Sequence, residues 1–132
     1  MPLEWTISHS LRLVVAVGKG DVRPQSIIDL LASIDAEQAR PYGKIFGVSD
    51  LLSIFTEEDV RNLANLVRRR EQESHVGPIA IVATDERSFR QARLFAEVAQ
   101  IVRPIQVFRE WHDARRWIEE ELKRQEQQGA IG

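Results

Sequence analysis

The sequence predicts an α/β fold: one mostly parallel sheet of about five strands, the N-terminal strand antiparallel, wrapped by four helices in the order β-β-α-β-α-β-α-β-α. Three observations predict it. Apolar residues recur at the helical period in separate stretches. Short runs rich in β-branched residues lie between those stretches. Strands that alternate with helices pair in parallel through right-handed crossovers, so only the first strand has to run the other way.

Leu3, Trp5 and Ile7 alternate with polar residues, as in a strand with one wet face. After the break Ser8-His9-Ser10, Leu11 to Val17 forms the second strand of an antiparallel hairpin. The following Gly18-Lys19-Gly20-Asp21 lacks both the third glycine of a dinucleotide fingerprint and the Gly-Lys-Ser/Thr of a P-loop, which leaves it as turn chemistry. Pro24 suits the first turn of a helix, and Ile27, Ile28, Leu31 and Ile34 carry that helix to about Ala39, where Pro41-Tyr42-Gly43 stops it.

Lys44 to Val48 is the next strand, followed by a loop through Phe55. Such a strand-to-helix corner is where ligands usually meet the backbone of an α/β protein. Thr56 stands three residues before Asp59, an acidic variant of the capping box, and starts the second helix. Val60, Leu63, Ala64 and Val67 form its apolar stripe, and Arg68-Arg69-Arg70 complements the dipole of its last turns. Gly77-Pro78 breaks the chain before Ile79 to Ala83, an apolar run suited to a central strand covered on both faces. Asp85 or Glu86 leads into a third helix with Phe89, Ala92, Phe95 or Ala96, and Ala99 inward; Arg103-Pro104 ends it, and Ile105 to Phe108 is the last strand. The fourth helix spans about His112 to Gln127 with Ala114, Trp117, Ile118 and Leu122 inward. Residues 1–128 are therefore expected to form a single domain, with 129–132 a frayed tail.

Both sides of the sheet are apolar. Leu13, Val15, Val17, Ile79, Ile81, Ile105 and Val107 are expected on one, and Val14, Ala16, Phe46, Val48, Ala80, Val82 and Phe108 on the other. Leaving either in water costs roughly 1.5–3 kcal/mol per large side chain. Helices that gather on one side leave the other to a second subunit, a ligand or the N-terminal strand.

Composition narrows the function classes. The 132 residues include no cysteine, which removes disulfides, thiolate metal sites and cysteine nucleophiles. A net charge of −2 gives no global attraction for nucleic acid, and no apolar run approaches a membrane span. His9, His75 and His112 show no metal-ligand spacing, and no Gly-x-Ser-x-Gly is present. Asp21, Asp50 and Thr84 lie near strand ends, as a response-regulator phosphoacceptor site would require, but the chain is one βα unit short and carries Arg109 and Glu110 where a lysine should stand. Arg87, Arg90 and Arg93 drift around their helix as a solvated face, and Trp111 and Trp117 read as core and rim packing. No metal, cofactor, nucleic acid or membrane insertion is expected, and the protein is expected in the cytoplasm.

The segments LRLVVAVGKG (11–20), Gly77-Pro78-Ile79-Ala80-Ile81-Val82, QARLFAEVA (91–99) and VFREWHDARRWIEEEL (107–122) resemble the SpoIIAA-like proteins. These are bacterial relatives of the anti-sigma-factor antagonist (STAS) domains, grouped by fold with the lipid-binding Sec14 domains. In the antagonists, a serine after the central strand, within an Asp-Ser-Ser-Gly-like motif, is phosphorylated and so releases an anti-sigma factor. The corresponding loop here, Val48-Ser49-Asp50-Leu51-Leu52-Ser53, lacks the Ser-Ser-Gly core. The resemblance makes Ser53 the nearest phosphoacceptor candidate, with Ser49 and Thr56 behind it. By residue chemistry alone, Ser49 and Asp50 are turn residues, Thr56 is a cap and Ser53 is a solvated loop serine.

The resemblance implies a non-enzymatic module acting by protein–protein contact, with a homodimer among the expected assemblies. The alternative it implies is a small domain holding an apolar or lipid-like ligand against Phe46, Val48 and Phe108.

Overall fold

Each strand pairs with its neighbour in the chain, and this fixes the architecture. In the computed structural model, which describes residues 3–20, 22–49, 56–99 and 104–131, the strands are β1 (Leu3–Ser8), β2 (Leu13–Lys19), β3 (Gly43–Ser49), β4 (Ile79–Ala83) and β5 (Ile105–Phe108). They lie in the order β1-β2-β3-β4-β5, with β1 antiparallel to β2 and every other pair parallel. The helices are α1 (Pro24–Ala36), α2 (Glu57–Glu73), α3 (Glu86–Ala99) and α4 (Trp111–Ile131). Among the described residues the chain is thus an α/β protein with a mixed five-stranded sheet and four helices.

Crossovers of one hand between successive neighbouring strands put their helices on one side. The packing agrees. Leu30 and Ile34 of α1 pack with Leu3, Val14 and Ala16, and Ala92 of α3 packs with Val48, Ile81 and Ala83 on the same side. On the opposite side Ala114 and Ile118 of α4 pack with Leu13, Ile45, Ala80 and Val82. The helices therefore divide three to one.

The register corrects the expected grouping of side chains. Phe46 pairs with Ile81 and Ile81 with Val107, so Ile79, Ile81, Ile105 and Val107 share the three-helix side with Val14, Ala16, Phe46 and Val48. Ala80, Val82 and Phe108 share the α4 side with Leu13 and Val15. Alternation along one strand is readable in a sequence. The phase between strands is a property of pairing, and a slip of one residue turns a whole strand over.

Two helix ends also differ from expectation. α1 stops at Ala36, short of Ala39, because Gln38 takes the left-handed conformation (φ 56°). The Ala39 N–H then donates to Ile34 O at 2.9 Å and the Gln38 N–H to Asp35 O at 3.1 Å, a Schellman closure in which Ala39 and Ile34 share a core cluster. α4 runs from Trp111 through Ile131, past its expected end at about Gln127. The sequence supplies no proline after Gln127, and one glycine inside a helix costs only about 1 kcal/mol.

α4 lies close to the sheet because two of the β3 residues beneath it are glycines. A Cβ on Gly47 would overlap the Trp111 ring, and one on Gly43 would stand 2.8 Å from Ile118 Cγ2. Phe108 meets Trp117 from the strand beyond, their ring centroids 5.8 Å apart.

Candidate functional site

The strand-to-helix corner after β3 is the place where the sequence puts its candidate acceptors. Ser49 ends β3, half-buried and paired in register with Lys19. Thr56 caps α2: its Oγ1 accepts from the Asp59 N–H and the Asp59 carboxylate accepts from the Thr56 N–H, both at 3.0 Å. That hydroxyl already has a structural task. Ser53 and Asp50 lie outside the described residues, as do Asp21 and Arg103.

The described structure offers a cavity instead. It lies between the three-helix side of the sheet and α1, α2 and α3, with a volume of about 140 Å³. Val14, Phe46, Val48 and Ile81 form its sheet wall, and Leu30, Leu63, Val67 and Phe95 its helix wall. Phe46 and Val48, expected to hold an apolar ligand, do line it. Phe108 does not join them, because its pairing with Val82 turns it towards α4.

Four polar side chains reach this apolar wall: Lys44, Arg70, Ser88 and Gln91. Lys44 Nζ donates to the carbonyls of Arg40 and Tyr42. Arg70, buried at the C-terminal end of α2, grips the Asp35 carboxylate with both terminal nitrogens at 2.7 Å. Arg40 holds the same carboxylate from the other side at 2.7 and 3.1 Å, and also contacts Glu73 at 3.2 Å and Ser74 Oγ at 3.0 Å. The hydrogen bonds from Arg40 and then Arg70 hold the Asp35 carboxyl well below the usual carboxylate range, against a smaller opposing effect of burial. The Arg40 pKa rises in turn, chiefly through Asp35. Ser88 Oγ and Gln91 Oε1 have no hydrogen-bond partner, although both are buried.

Sequence reasoning missed all four. The sequence groups Arg70 with its neighbours as a dipole complement, yet Arg69 is exposed and Arg68 donates to Val98 O at 2.9 Å. The one available signal was spacing: Ser88, Gln91, Ala92 and Phe95 recur at i, i+3, i+4 and i+7 on α3, the period of an inward stripe. A hydroxyl at its head hides such a stripe from a count of apolar residues.

The α4 side carries a different feature. α4 packs against β3, β4 and β5, and β2 beside them keeps Val17 46% exposed. Val17 pairs with Gly47, the residue covered by Trp111, and Trp111 is itself 40% exposed. Glu4, Thr6 and Lys19 border this strip with exposed polar groups.

His9, His75 and His112 are all exposed. His9 bridges the Tyr42 hydroxyl (Nδ1, 2.7 Å) and Glu37 (Nε2, 3.0 Å) on open surface, tying the β1–β2 turn to the end of α1. Among the described residues no group of three or more His, Asp or Glu side chains could hold a metal ion, and no helix is long and apolar enough to cross a membrane. No protein-family model matches the chain, and comparison with curated proteins and with solved structures returns no match.

Proposed function

We propose that the protein is a non-enzymatic, SpoIIAA-like (STAS-type) module that works by docking another protein chain on the α4 side of its sheet. The element order and the apolar patterns of the strands and the closing helix support the family reading. The observation that carries the function is the three-to-one division of helices. It leaves an exposed valine and a tryptophan adjacent on one strip, Val17 and Trp111, inside a border of Glu4, Thr6 and Lys19. An aromatic anchor in a small apolar centre with a polar rim is the usual anatomy of a protein interface.

A second copy of this chain is the first occupant to test. Sedimentation velocity over a concentration series should show self-association, or a pull-down should capture a partner, and Val17→Lys should abolish either while leaving the fold intact, because Val17 is half out of the core. A wild-type chain that stays monomeric and captures the same proteins as Val17→Lys would end this reading. A phosphate-controlled version of it needs Ser53, Ser49 or Thr56 as acceptor. Intact-mass analysis after Ser53→Ala tests this: unchanged phosphorylation and partner binding would remove Ser53 from the mechanism.

A further inference from the structure

The cavity under α1–α3 combines an apolar wall with two orphaned polar atoms. Ser88 is 0% exposed and its Oγ has no partner, and Gln91 Oε1 is in the same condition one helical turn away. Both residues line the cavity with Ala92 and Phe95. Native interiors hold few such atoms, because a buried polar group without a partner has lost its water and gained nothing in exchange.

We propose that this cavity binds a compact neutral molecule, about one aromatic ring in size, carrying a single hydroxyl that meets Ser88 and Gln91. Volume sets the size: a dry cavity of roughly 150 Å³ lined by aliphatic and aromatic side chains accommodates benzene, and this one measures about 140 Å³. Donor and acceptor chemistry sets the functional group. Gln91 Oε1 only accepts, so the ligand has to donate, while the Ser88 hydroxyl can donate to the ligand's oxygen. An anionic group is disfavoured, since the cations in the wall are already engaged, Arg70 by Asp35 and Lys44 by the Arg40 and Tyr42 carbonyls. The site lies across the sheet from Val17 and Trp111 and does not depend on the docking strip.

The test uses phenol and benzene as probes, followed through the methyl resonances of Val14, Leu30, Leu63 and Val67. Phenol should shift these signals saturably and bind roughly five- to tenfold more tightly than benzene, the worth of one hydrogen bond. Ser88→Ala removes an orphaned hydroxyl and places a better helix former on α3, so the variant should be at least as stable as the wild type. It should lose part of the phenol preference, the hydrogen bond to Gln91 remaining, and keep its benzene affinity. The proposal is overturned if neither probe produces a saturable shift. It is equally overturned if the two bind alike, as when a trapped water already serves Ser88 and Gln91, or if Ser88→Ala leaves the preference unchanged.

Discussion

Arg70 and Asp35 meet fork to fork, Nη1 on Oδ2 and Nη2 on Oδ1, both at 2.7 Å, and so join the ends of two helices that lie 35 residues apart in the chain. With Arg40 on the other flank, one carboxylate serves two guanidinium groups. Asp35→Asn leaves buried Arg70 without its counter-charge. Because the Asp35 side chain is 36% exposed, water screens part of the interaction, and the cost should be about 1–2 kcal/mol, between the values for surface and buried pairs. Urea denaturation at pH 7 measures it. A folded-state carboxyl pKa below the ordinary value of 3.8 makes the unfolded chain the stronger proton binder, so this contribution is complete above that value and fades as pH falls through the depressed one. The gap between wild type and Asp35→Asn should therefore hold from pH 7 to about pH 4 and close only in stronger acid.

Gly47→Ala places a methyl group inside the Trp111 ring. Displacing the indole should cost about 1–3 kcal/mol by overpacking, seen as a lower thermal midpoint and altered near-ultraviolet circular dichroism. Trp111→Leu in the same chain should restore part of the loss, because the two changes share one contact and will not add.

The reciprocal cap at Thr56 and Asp59 predicts a loss of about 1 kcal/mol for Thr56→Ala and almost none for Thr56→Ser. Chemical denaturation resolves the two. Equal losses would mean that the threonine methyl, and not the hydroxyl, holds the start of α2.

Gln38 holds a positive φ in the closure of α1, a conformation that costs side chains with a Cβ about 1–2 kcal/mol. Gln38→Gly should therefore stabilise the protein by about 0.5–1 kcal/mol after the greater freedom of the unfolded glycine is subtracted. An unchanged denaturation midpoint would indicate that the Gln38 side chain contributes as much as the strain removes.

The features legible in the sequence are those written locally. The Thr56–Asp59 box, the strand Ile79–Ala83 and the strand Ile105–Phe108 stand where their residues placed them, since each depends on neighbours a few positions away. The end of α1 was hidden because a glutamine does the work expected of glycine. The partnership of Asp35 with Arg70, and the placement of Phe108 across the sheet from Phe46, depend on which distant segments meet and in what phase. Nothing in the local pattern encodes that phase. Ser88 fell between the two cases: its helical position was readable, while its burial depended on the volume enclosed by α1 and α2.

The nearest-neighbour strand order has a consequence for synthesis on the ribosome. Every pairing partner of a strand is already made, or is the next to be made, so the sheet can grow outward one ribbon at a time. The cover of its other side follows every strand: until Trp111 and Ile118 leave the exit tunnel, the plane holding Leu13, Ile45, Ala80 and Val82 stands bare. A nascent chain cut before α4 should thus be sticky in a way the chain carrying α4 is not, and this is where a cell's holdase chaperones would find it.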